Sequence, residues 1–261
     1  MLRFYFEVAR VAYRRQLIYR WANLAGLFTN CFFCIIISSV MIALYHARSV
    51  TVGYNLYDAL SYTWLTQAMI MVVLPFGWTD LMLTIRTGEV VADLSKPCDF
   101  FLYWFSRELG RAVYYFFFRG LPTYIVGWLI FGLASGSNWL LFLGCLILGA
   151  MAGAVFRVFL NLAAFWIVEA RAVIVFGTTI AQFLSGAYVP VPFFPAWLAV
   201  LATWLPFNSM MNAPAQIFLG KLNGPSLFFV LALQIGWLLL SILVVRQITS
   251  LATRRVVVQG G

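Results

Sequence analysis

The stretch GLPTYIVGWLIFGLASGSNWLLFLGCLILGAMAGAVF, residues 120–156, runs 37 positions without a charged side chain. One membrane-crossing helix needs about 20 predominantly apolar residues. The stretch is too long for one crossing and supplies most of two. Gly132, Gly136 and Asn138 fall in its middle and read as a tight turn. The result is two helices back to back, residues 113–133 and 138–168. Arg119 then sits near one end of the first, where a long side chain snorkels to the lipid surface.

The rest of the chain agrees. Of 261 residues, 64% are hydrophobic and only 10% are charged, against about half apolar and a quarter charged in a soluble domain. A soluble domain is excluded, as is a disordered or nucleic-acid-binding protein, despite a net charge of +9. Further uncharged runs, residues 26–45, 59–79, 172–220 and 222–245, mark spans at residues 22–46, 58–85, 172–189 and 224–247. Residues 190–221 are apolar but carry Pro190, Pro192, Pro195, Pro206 and Pro214. Proline breaks helix interiors, and irregular backbone at membrane depth needs protein or a water cavity around it. This segment reads as two half-helices dipping back into the bilayer, with Asn208, Ser209 and Asn212 serving freed backbone groups. The fold class is all-α: a polytopic bundle of six transmembrane helices plus one re-entrant pair.

Basic residues set the orientation. Fifteen of the 17 Lys and Arg fall before the first span, in the second and fourth connections and their flanks, and in the tail; Arg48 and Lys221 fall on the other side. By the positive-inside rule both termini are cytoplasmic, in an inner (plasma) membrane, and anionic lipid is the natural contact for the basic side. No secretory leader is read, because charges run through the first 20 residues. In residues 1–21, Arg3, Glu7, Arg10 and Arg14 share one helix face. A helix on the cytoplasmic membrane surface is expected, either as an anchor or as a lever for a cytoplasmic partner.

Residues 86–111 are the main polar stretch inside the chain. Gly88 can end the second span. Residues 89–94 suit a short helix showing Glu89 and Asp93 on one face, stopped by Pro97, with Asp99 capping the next helix. The segment is either a solvated loop or a helix that docks on a soluble protein.

Catalytic and metal signatures are missing. His46 is the single histidine, and Gly220-Lys221 lacks the glycine a phosphate loop needs upstream. Cys31 and Cys34 form a CxxC in an apolar span, where packing is the better reading because a reactive thiolate needs polar surroundings. No metal site, catalytic residue or substrate-contacting residue is assigned. Arg157 and Glu169 are placed at the cytoplasmic interface, leaving the span centres without ionisable groups and favouring an external energy source over ion coupling.

Arg86-Thr-Gly-Glu89-Val-Val-Ala-Asp93-Leu-Ser-Lys96-Pro97-Cys-Asp99, with Tyr103-Trp104 after it, resembles a motif of the permease subunits of type-two ATP-binding-cassette (ABC) exporters, in a bacterial stand-alone branch. Leu184-Ser-Gly-Ala-Tyr-Val-Pro190, then Phe194-Pro195-Ala-Trp197 and Leu205-Pro206-Phe207, is similar to the family's pattern after span five. The resemblance implies a non-catalytic permease that moves a bulky amphipathic or hydrophobic substrate. ATP and Mg are then handled by a separate cytosolic ABC ATPase, and a second copy or a related permease completes a dimer. It also implies that Glu89, Asp93, Lys96 and Pro97 lie at the ATPase-coupling contact, and that Pro190, Pro195 and Pro206 lie in the re-entrant exit region. A channel working without ATP, or a structural membrane-assembly protein, is the competing class.

Overall fold

The computed structural model describes residues 2–47 and 53–254, so Arg48 and Arg255 lie outside the described residues. Every described element is helical. Helices α2 (Arg20–Ala47), α8 (Trp139–Leu162) and α12 (Pro225–Thr253) give the three stretches long and apolar enough to cross a membrane by length and composition: Arg20–His46, Trp139–Phe165 and Pro225–Thr253. Phe28, Phe32 and Val40 of α2 and Phe228, Leu239 and Leu243 of α12 are exposed. Apolar surface on that scale requires a non-aqueous neighbour.

The centre belongs to a less apolar helix. α3 (Leu56–Val73) is buried without a break from Ala59 to Ile70. Asn55 and Asp58 start it with a reciprocal capping box. Its hydroxyls return to the backbone of the same helix, as when Thr63 donates to the Ala59 carbonyl at 2.9 Å. Trp64 donates to Ser38 on α2 at 3.0 Å. Residues 58–85 are not one continuous helix. α3 stops at Val73, and α4 (Asp80–Arg86) starts after a break holding Pro75 and Gly77. Proline cannot donate to the ladder, and Gly77 takes φ +70°.

α6 (Phe100–Tyr115) begins well before residue 113 and continues through a π-helical turn, Phe116–Gly120, into α7 (Leu121–Phe131). Asp99 caps α6 by accepting from the Leu102 amide at 2.8 Å. In the π turn Arg119 does not snorkel. It turns inward and donates to the Gly26 carbonyl and to Asn30 Oδ1 on α2, both at 2.9 Å. These acceptors serve the guanidinium within the protein. The expected turn between α7 and α8 is present, with Gly132 left-handed and Asn138 capping α8.

α1 (Leu2–Ile18) lies along α6. A β-carbon at Gly110 would strike the Ala9 backbone, so only glycine allows this approach. Arg3, Glu7, Arg10 and Arg14 are exposed, as are Leu2, Phe6, Leu17 and Ile18. After α9 (Arg171–Leu184) come a short 3₁₀ turn, Val191–Phe193, and two brief helices, α10 (Ala196–Trp204) and α11 (Asn208–Phe218).

Charged contacts mark two ends of the molecule. At one, Arg246 of α12 pairs with Asp99 at 3.0 Å, and Arg86 of α4 pairs with the exposed Glu169 at 3.0 Å. At the other, Lys221 reaches Asp58 at 2.7 Å and the Gly53 carbonyl at 3.1 Å.

Candidate functional site

Gly88, at φ +78°, separates α4 from α5 (Val90–Leu94). α5 ends at Leu94, three residues before Pro97, with Ser95 closing the turn. Val90 is buried, whereas Glu89, Val91, Ala92 and Pro97 face outward. Asp93 is held by Lys96 at 2.6 Å, and Lys96 lies 4.2 Å from the Tyr103 ring centroid. Burial works against the Lys96 ammonium, but its hydrogen bonds to Asp93 and Tyr103 hold its pKa above the ordinary lysine value. Glu89 is therefore the outward-facing acid, and Asp93 is spent within the chain. Asp99 ties this segment to α12 through Arg246, and its amide donates to the Tyr5 hydroxyl of α1 at 3.0 Å.

Beneath α5 runs a chain of charges that is buried at Glu108, Arg111 and Arg157. Asp80, at the start of α4, receives Arg111 closely and Arg107 at 3.5 Å, with Arg15 of α1 at 3.9 Å. Arg111 also pairs with Glu108 at 3.0 Å, and Glu108 pairs with Arg157 of α8 at 2.7 Å. Glu108, Arg111 and Arg157 are only 6%, 4% and 3% exposed. Trp78 lies 4.6 Å from the Arg111 guanidinium and 5.7 Å from that of Arg157, centroid to carbon.

Arg157 faces neither solvent nor lipid. It is buried among protein groups and donates to the Val73 carbonyl, freed where α3 stops. Gly153, one turn earlier on α8, leaves room for that carbonyl. Other side chains serve the same break. Gln182 of α9 donates to the Leu74 carbonyl at 2.6 Å. Asn161 donates to the Trp78 carbonyl at 3.1 Å and accepts from the Met82 amide at 3.0 Å. Ion pairs and hydrogen bonds thus tie α4 and the α3–α4 break to α6, α8 and α9.

The proline group is not brought to this site. Pro190 is buried, Pro195 leads exposed into α10, and Pro206 is half-buried between α10 and α11. Phe193, before α10, packs 5.5 Å from Tyr54, near the Lys221 end. Phe207, after α10, reaches Phe156 of α8 at 5.3 Å, and Phe218, ending α11, returns to Trp139 at 5.0 Å. Gln234 of α12 steadies the pair by donating to the Ser209 carbonyl at 2.8 Å. Asn212 donates to Asn208 at 2.7 Å, while the Tyr62 hydroxyl lies 2.9 Å from the Gly186 carbonyl.

Reading the sequence missed the Glu108–Arg157 pair. Its signal is an arginine inside an otherwise uncharged run, but its partner lies 49 residues away.

A helical chain with lipid-scale apolar surfaces and a paired ionic interior is a multi-pass membrane protein. Residues 31–260 match the model of the ABC-2 family transporter protein, and the chain belongs to that family of membrane transport permeases. A comparison with curated proteins returned no match.

Proposed function

We propose that the chain is the permease of an ATP-driven exporter of a bulky amphipathic or hydrophobic substrate, with ATP and Mg held by a separate cytosolic ABC ATPase. The observation that carries this reading is α5. It is a five-residue helix with Glu89 outward and Val90 buried, linked to the ion chain that holds the α3–α4 break. Six spans, made by α2, α3, α6–α7, α8, α9 and α12, give an even count, with both termini and α5 in the cytoplasm. The basic end gathers Arg15, Arg86, Lys96, Arg107, Arg111 and Arg246, which supports that orientation. The path from Phe193 to Phe207 and back to Phe218 supports a re-entrant pair opening outward. Two permeases, identical or related, would enclose the pathway. ATPase closure would press α5, and the differential affinity of the two states for substrate would perform transport.

Glu89→Arg tests this without disturbing the Asp93–Lys96 pair. The chain purified from its host should bring down an ABC ATPase. Glu89→Arg should lose most of it, and Glu89→Arg with Asp93→Arg should lose it entirely. A well-folded wild-type sample that repeatedly carries no ATPase sinks the reading and leaves a channel or assembly protein.

A further inference from the structure

Three guanidinium groups converge on one oxygen, Asp80 Oδ2: those of Arg15, Arg107 and Arg111. The next acid along, Glu108, is shared by Arg111 and Arg157. Four arginines stand on two carboxylates, an excess of two positive charges. Among the described residues Arg15 and Arg107 are the least satisfied, Arg15 with only its 3.9 Å ion pair. A guanidinium has five N–H donors, and among the described residues that of Arg107 makes one hydrogen bond, at the long distance of 3.5 Å. Its plane is held 4.2 Å from the Trp104 ring centroid, so the remaining donors are positioned rather than free to wander.

These donors face a cavity of about 350 Å³ between α1 and α6. Phe4, Val8 and Val11 form its apolar wall, and Arg15, Arg107 and Arg111 its basic side. Its one acid, Glu7, is turned to Arg10 at 3.4 Å. The adjoining cleft of about 520 Å³ contains Asp80, Glu89 and Asp93 and is unsuited to an anion. Leu2, Phe6 and Ile18 of α1 are 88%, 67% and 76% exposed. A helix with such apolar residues and exposed arginines lies at headgroup depth.

We propose that this cavity binds the phosphate of an anionic membrane phospholipid. Arg15 and Arg107 hold the phosphate oxygens, and Phe4, Val8 and Val11 pack against the glycerol and upper acyl carbons. Arginine suits this because its planar fork meets phosphate oxygens in pairs. The site stands apart from the exporter reading and requires only a membrane protein.

The test uses the purified full chain in detergent micelles, titrated separately with dioleoyl-phosphatidylglycerol, dioleoyl-phosphatidylcholine and inorganic phosphate. Bound lipid is counted by native mass spectrometry. Phosphatidylglycerol should bind about tenfold tighter than phosphatidylcholine: both carry the phosphate, but the choline cation of the second is repelled by the excess arginine charge. Arg15→Gln with Arg107→Gln should abolish that preference. Arg3→Gln with Arg14→Gln removes the same charge from the exposed face of α1 and should leave it intact. Equal binding of the two lipids by the wild-type chain overturns the proposal whether or not the cavity variant folds. Equal loss in both double variants also overturns it, by reducing the effect to general attraction. Displacement of phosphatidylglycerol by equimolar inorganic phosphate would make a free anion the ligand and overturn the lipid assignment.

Discussion

Arg157 shows how one side chain ties the interior together. It is 3% exposed, donates to the end of α3 and pairs with Glu108 at 2.7 Å. Charges taken out of water cost several kcal/mol each unless partners replace the lost hydration, and removing one partner of a buried pair costs about 3–5 kcal/mol. Glu108→Gln strips the carboxylate from both Arg111 and Arg157. The thermal midpoint of the purified chain should fall by roughly 10 °C. Adding Arg157→Gln should recover part of the loss, because two neutral amides replace an orphaned charge. A Glu108→Gln protein that unfolds with the wild type would show that the chain of charges contributes nothing to stability. From the sequence Arg157 is visible as an oddity in an apolar run, and its neighbourhood is not. Hydropathy records which residues avoid water and is silent on which polar residues find each other across 49 positions. Arg119 is the same case: its acceptors, the Gly26 carbonyl and Asn30, belong to another helix.

At the scale of elements, the sequence marks where helices start and stop better than how far each one runs. Asp99, Asn138 and Gly132 act as their chemistry requires, because caps and left-handed turns depend on neighbours along the chain. Residues 58–85 mislead, because an uncharged run conceals the Pro75–Gly77 break that α8 and α9 later satisfy. α1 is legible as a helix from its spacing, but its partner is not. Gly110 carries that information, because its missing side chain admits the Ala9 backbone. Gly110→Val should therefore push α1 off α6 while the spans remain, since a close backbone contact cannot absorb three added carbons. Limited proteolysis should then cut after Arg10, Arg14 or Arg15 at least about tenfold faster than in the wild type, as exposure follows the cost of local opening. Unchanged cleavage would mean that another contact, such as Tyr13 against Tyr114 at 5.7 Å, holds the helix.

For the whole molecule, the decisive quantity is which end faces the cytoplasm, and the sequence carries an expectation of it in its basic residues. Fifteen of 17 basic residues are read to one side, and those that form ion pairs at α1, α4, α6 and α12 do meet at one end. Cys98 lies at that end, between Pro97 and Asp99, and is partly exposed. Cys34 and Cys145 are buried within α2 and α8, and Cys31 lies on α2 against apolar neighbours. A membrane-impermeant maleimide should therefore label Cys98 in inverted vesicles and not in intact cells. The reaction carries its own control in pH. Burial raises the Cys98 thiol above its ordinary pKa, and Asp93 and Asp99 add to this against the opposing pull of Lys96. A raised thiol pKa means less thiolate at any given pH, and the thiolate is the nucleophile. Labelling should be slow at pH 7 and climb by about tenfold per pH unit toward alkaline pH. Rapid labelling of Cys98 from outside intact cells would invert the topology. It would also remove α5 from the side where an ATPase works, so the coupling role proposed for Glu89 depends on this orientation.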